Sequence, residues 1–188
     1  MNDMTLYNKY RDQMKTGDLL TYDTDGIISS MIKWWSPEAN HAGMVLDLDE
    51  YEGEEHRRWT LEATSGGPRM AFLSGLLKTE YGRVWWHPLK PEFDDARTAI
   101  GCFALEQQGV VKYDFISLLK YPFKTVSADL NKLFCSEYVF LSWKAGGIVA
   151  GDAAPKPSDL AKFGATLPPV LIIDTKPEDL PVTPTVEP

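Results

Sequence analysis

Alternating and helically spaced apolar positions divide the chain into a series of elements. "HAGMVLDL" sets Ala42, Met44, Leu46 and Leu48 against His41, Gly43, Val45 and Asp47, the period of a strand with His41 and Gly43 on one face. "HRRWTLEATS" repeats the alternation, Trp59, Leu61 and Ala63 against Arg58, Thr60, Glu62 and Thr64, and the acidic turn "DEYEGEE" makes it the neighbouring strand. "LLTY" reads as a brief strand, "PVLIID" as the last, and "RVWWHPL" as another that Pro88 ends, with Trp85 and Trp86 on opposite faces. Helical segments are expected in "TLYNKYRDQM", in "DGIISSMIKWW" up to Pro37, and across residues 91–108, where Phe93, Ala96, Ile100, Phe103 and Ala104 lie near helical spacing.

One further helix carries the chemistry. In "NKLFCSEYVFLSWKAGG", Phe134, Tyr138, Leu141 and Ala145 share a helix face, Glu137 sits early, Lys144 sits late, and Gly146-Gly147 supplies the stop. Asn131 is a candidate cap, which would push Cys135 into the second turn; Ser158 is a candidate cap for "KPSDLAKF". The resulting order is α+β, without the strict alternation of a parallel sheet. Residues 1–173 are expected to form one domain, and 174–188, "DTKPEDLPVTPTVEP", a proline-rich extended tail.

Composition narrows the function. The 188 residues carry a formal charge of -8 with scattered Lys and Arg, which argues against a nucleic-acid partner and an anionic membrane surface. The opening "MNDMTLYNKYRDQMK" lacks the apolar core of a signal peptide, and no apolar run approaches a bilayer span, so the expectation is a protein made in the cytoplasm without a membrane anchor. Two cysteines, Cys102 and Cys135, make no disulfide framework, and no Cys and His spacing suggests zinc, so no metal or organic cofactor is expected.

Cysteine catalysis needs a thiolate, favoured by a helix N-terminus and a nearby histidine. Cys135 lies near a helix start; His41 begins a strand beside Gly43, whose missing side chain would let a helix approach; Glu62 could hold the second imidazole nitrogen. The plainer alternatives are a small buried thiol, a turn histidine and a solvated glutamate. Cys102, next to Phe103, reads as core, His87 beside Pro88 as structural or exposed, and Lys33-Trp34-Trp35 as an aromatic anchor or the lining of a substrate groove.

Taken in order, "GDLLTY", "HAGMVL", "LEAT", Tyr113-Asp114, "FCSEYVF", "AGGIV" and "KPSDLAKF" resemble the YiiX-like branch of the circularly permuted papain-like hydrolases, relatives of the NlpC-type cell-wall peptidases, over residues 17–163. The resemblance implies a small antiparallel sheet packed against a helix bearing the nucleophile. It further implies a cysteine peptidase or amidase with Cys135 as nucleophile, His41 as base and Glu62 as orienting acid, with Tyr113 near the thiol or the substrate carbonyl. The implied substrate is a peptide or peptidoglycan-like amide, which would suit a phage or bacterial lytic factor. Asn40 stands where the family commonly has Ser, and Met44 where it commonly has a β-branched residue. Two other functions fit the same fold: a lipid acyltransferase or thioesterase, and a non-catalytic binding module engaging a protein partner through the C-terminal tail.

Overall fold

The structure, a computed structural model, describes residues 2–24, 36, 38–48, 56–64, 66–79, 82–109, 134–151 and 155–175. Its centre is a six-stranded antiparallel sheet in the order β4-β3-β2-β1-β5-β6. The strands are β1 (Leu19–Thr24), β2 (His41–Asp47), β3 (Arg58–Thr64), β4 (Gly67–Phe72), β5 (Gly82–His87) and β6 (Val170–Thr175). Around them lie α1 (Thr5–Tyr10), α2 (Leu73–Leu77), α3 (Arg97–Glu106), α4 (Cys135–Ala145) and α5 (Pro157–Leu160). This is the α+β class that the pattern implies.

The alternation in β2 sorts its side chains onto two buried faces. Ala42, Met44 and Leu46 join Leu61 and Ala63 of β3, and this surface meets Ile100 and Ala104 of α3 and Tyr138, Val139, Phe140 and Trp143 of α4. Val45 faces the other way, with Leu20, Tyr22, Val84 and Trp86, under Tyr7 of α1 and Leu73 and Leu77 of α2. Each fully buried large apolar side chain contributes roughly 1.5–3 kcal/mol, so a strand apolar on both faces is held from both. Trp86 is buried and Trp85 half-buried, as opposite-facing neighbours should be.

Polar groups lock the layers. Asp18, of the "GD" pair, is 1% exposed and accepts from Trp86 Nε1 at 2.8 Å, Leu89 N at 3.0 Å, Lys15 N at 3.0 Å and Arg97 Nη1 at 2.8 Å. A buried carboxylate with four donors is a joint between the turn before β1, β5 and α3. Trp143 Nε1 donates to Gly17 O at 3.0 Å, and Tyr138 OH donates to Ala104 O at 2.7 Å, fixing α4 to the same turn and to α3.

Several expectations are corrected. α4 is buried well beyond the face of Phe134, Tyr138, Leu141 and Ala145: Val139, Phe140, Ser142 and Trp143 are buried while Ala145 is exposed, because the helix has neighbours on more than one side. Cys102 is exposed rather than core, since α3 turns Ile100, Gly101 and Ala104 inward. Ser158 is inside α5 rather than its cap; Lys156 precedes the helix and Pro157 opens it. β6 runs through Asp174 and Thr175. The "DGIISSMIKWW" helix, Tyr113-Asp114, Asn131 and residues 176–188 lie outside the described residues. No described helix is long and apolar enough to cross a membrane.

Candidate active site

Cys135 is the first residue of α4, in its first turn. The cap residue is Phe134, in extended conformation, and Glu137 reaches back so that its Oε2 accepts from Phe134 N at 3.3 Å. This is the glutamate half of a capping box. Ser136 Oγ donates to Pro155 O at 2.7 Å, tying the helix start to the segment that enters α5. The first-turn N–H groups have no carbonyl one turn earlier within the helix, so this end carries partial positive charge beside the sulfur.

His41 is the first residue of β2, so the two residues meet where a helix and a strand both begin. Asn40 fixes the approach: its Nδ2 donates to Thr24 O at 2.6 Å, and its N–H donates to Tyr22 O at 2.8 Å. The Tyr22 ring packs at 5.2 Å from the His41 ring. Nε2 of His41 lies 2.5 Å from Glu62 Oε2, and Cys135 is near enough to act on the same imidazole. With Nε2 engaged by Glu62, Nδ1 is the nitrogen left for the thiol.

Gly43 plays a different part from the one its position suggests. α4 packs on the Ala42, Met44 and Leu46 face, so it does not use the gap at Gly43. A Cβ on Gly43 would lie 3.1 Å from Thr60 Oγ1, 3.2 Å from Leu61 O and 3.3 Å from Glu62 Cβ. The missing side chain makes room for Glu62, directly opposite it on β3. Glu62 is only 1% exposed, far from the solvated position that a polar strand face suggests.

The electrostatics follow from this packing. Burial disfavours the charged ring of His41, but the neighbouring Cys135 and then Glu62 outweigh it, and the imidazole is raised to about 10. Burial likewise opposes ionisation of Glu62, yet His41 and Arg69 hold its carboxyl below the usual range. Arg69 is the group that the sequence pattern did not reveal: from β4, its Nε and Nη2 donate to Glu62 Oε1 at 3.0 and 2.7 Å.

The structure thus brings Cys135, His41 and Glu62 together, and Tyr113 lies outside the described residues. Lys33, Trp34 and Trp35 lie outside them too. His87 is buried at the end of β5, where its Nε2 and Thr21 Oγ1 are 2.8 Å apart. Both cysteines are free.

No family model matches the chain, and no curated protein matches it. Among solved structures it resembles one described as the crystal structure of metalloprotein yiiX from Escherichia coli O157:H7, with a TM-score of 0.53 and 18% identity over 71% of this chain and 67% of that one. The fold is therefore YiiX-like. That protein is described as a metalloprotein; among the described residues here, no group of three or more His, Cys, Asp and Glu side chains could hold a metal ion.

Proposed function

We propose that this protein is a cysteine hydrolase of permuted papain-like type, cleaving an amide bond through Cys135, His41 and Glu62. The observation that carries the reading is the 2.5 Å contact between Glu62 Oε2 and His41 Nε2, with a cysteine at the first position of an 11-residue helix near enough to act on the same imidazole. A nucleophile, its base and an acid that orients the base are the parts acyl transfer requires. The resemblance in motif order favours peptide amides of the bacterial cell wall as the substrate class.

In this reading His41 Nδ1 takes the proton of Cys135, and the sulfur bonds to the substrate carbonyl carbon. Charge moves onto the carbonyl oxygen, where first-turn N–H groups of α4 can receive it. The tetrahedral intermediate collapses, the C–N bond breaks, and the imidazolium gives its proton to the departing amine. Water then attacks the thioester with His41 again as base, releasing the carboxylic acid and restoring the thiol. Throughout, Glu62 keeps the ring in one tautomer and stabilises its charged form.

The test is the rate of Cys135 alkylation against pH, read by peptide mass spectrometry, in the wild type and in His41→Ala. Rapid labelling well below the normal thiol range that disappears in the variant is expected. Slow labelling of both folded proteins overturns the reading and favours a binding module. Peptide amides and acyl esters assayed side by side then separate an amidase from a thioesterase or acyltransferase.

A further inference from the structure

We propose that Arg69 is a positioning residue for the His41–Glu62 pair, an inference that rests on the catalytic reading of Cys135 and His41. The strand register supplies the first argument. Gly43 of β2 lies opposite Glu62 of β3, and Glu62 lies opposite Arg69 of β4, so the three form one row across the sheet. Glycine vacates the space at one end of the row and arginine closes the other.

The second argument is the division of the carboxylate. Arg69 places two donors on Oε1 while His41 holds Oε2. A carboxylate held at one oxygen only could rotate about its last bond; held at both, it keeps one edge toward the imidazole. Among the described residues, the groups acting on Glu62 are His41 from β2 and Arg69 from β4, and those acting on His41 are Cys135 from α4 and Glu62.

The third argument is the mismatch in burial. The Glu62 side chain is 2% exposed and that of Arg69 is 50% exposed. An isolated surface ion pair contributes little, because water competes for both partners. Here only the arginine is hydrated, so its charge is retained at small desolvation cost while its partner has no water to replace it. The planar guanidinium presents its two N–H groups to Oε1 in a fixed fork, so the restraint on Glu62 is directional as well as electrostatic.

The experiment compares the pH profile of Cys135 alkylation by iodoacetamide in the wild type, His41→Ala, Arg69→Gln and Arg69→Lys. Arg83→Gln serves as a control, since Arg83 makes a comparable ion pair, 2.7 Å to Asp23, on β5. Arg69→Gln is expected to move the acid limb of the profile up by about one pH unit and lower the plateau several-fold, because a less constrained Glu62 supports the imidazolium less well. Arg69→Lys should recover part of the plateau, and Arg83→Gln should change neither quantity. A purely structural arginine would lower Tm in Arg69→Gln and leave the limb in place. That result, with His41→Ala still abolishing the limb, overturns the role of Arg69 alone. If His41→Ala keeps the wild-type profile, the catalytic reading falls and this inference falls with it.

Discussion

Two histidines in the same sheet have opposite surroundings. His41 opens β2 and His87 closes β5, on either side of β1, opposite Tyr22 and Leu19. His87 has a hydroxyl partner, Thr21 Oγ1, and its Nδ1 is buried with no hydrogen-bond partner among the described residues. Burial drives its pKa down to about 4, so the ring is neutral. His41 is also largely enclosed, yet Glu62 and Cys135 reverse the effect of burial and the charged form is favoured. Burial makes an imidazole sensitive to its neighbours, and the charge of those neighbours decides which proton state it holds. In the proposed reading His41 exchanges a proton with a thiol, whereas His87 fills space.

The most damaging way to break this contrast is to remove the groups proposed to react. Cys135→Ala and His41→Ala should each lower hydrolysis by about 10⁴-fold or more, measured on the first amide or ester substrate found. Full activity in both would end the assignment. Glu62→Gln is subtler, because it gives His41 a neutral partner like that of His87. The imidazolium should then lose its support, with the His41 titration seen by NMR moving down and activity falling roughly 10²-fold.

The two rings should also leave opposite marks on stability. His87 has a folded pKa of about 4, below the ordinary 6.5. Between those values the unfolded state binds the extra proton, so stability is lost as pH falls through that window, by roughly 3 kcal/mol in total. His41, raised to about 10, contributes stability that is complete below 6.5 and lost as pH rises toward 10. Urea titrations across pH should therefore show the acid slope flattened in His87→Leu, with the rate of Cys135 alkylation unchanged. An acid slope equal to that of the wild type would mean that His87 is not the buried neutral ring described here.

What the sequence disclosed follows from how local each signal is. β2, β3 and β5 alternate clearly, and the ends of α4 carry Glu137, Lys144 and Gly146, with Gly147 at φ 74 where a side chain would be strained. β4 was hidden because "GPRMAF" opens on Gly67-Pro68, residues that usually demote a strand; proline is tolerated there because β4 is at the sheet edge. Without β4, Arg69 could only look like a solvated charge. A usable signal was nevertheless present: Ser65-Gly66 between two strands marks a tight hairpin, and the observed Thr64–Gly67 pair leads by counting to Glu62–Arg69. Cys102 and Cys135 show the other limit, since each sits beside a phenylalanine in sequence but helix orientation exposes the first and buries the second. Only the packing of α3 and α4 against the sheet decides that.

The smallest expected effect tests whether the row holding Glu62 has slack. In Gly43→Ala the added methyl meets Leu61 O at 3.2 Å, a backbone atom fixed by the strand ladder, and Glu62 Cβ at 3.3 Å. The softer response is for Glu62 to give by a few tenths of an ångström, at a cost of about 1 kcal/mol. A Tm lower by about 2–4 °C is expected, with Cys135 alkylation slowed a few-fold because Oε2 no longer meets His41 Nε2 squarely. A lower Tm with unchanged alkylation would mean that Arg69 and His41 re-centre the carboxylate after its Cβ moves. If neither quantity changes, β2 and β3 can separate at this point, and the glycine contributes less to the acid's position than the arginine on its other side.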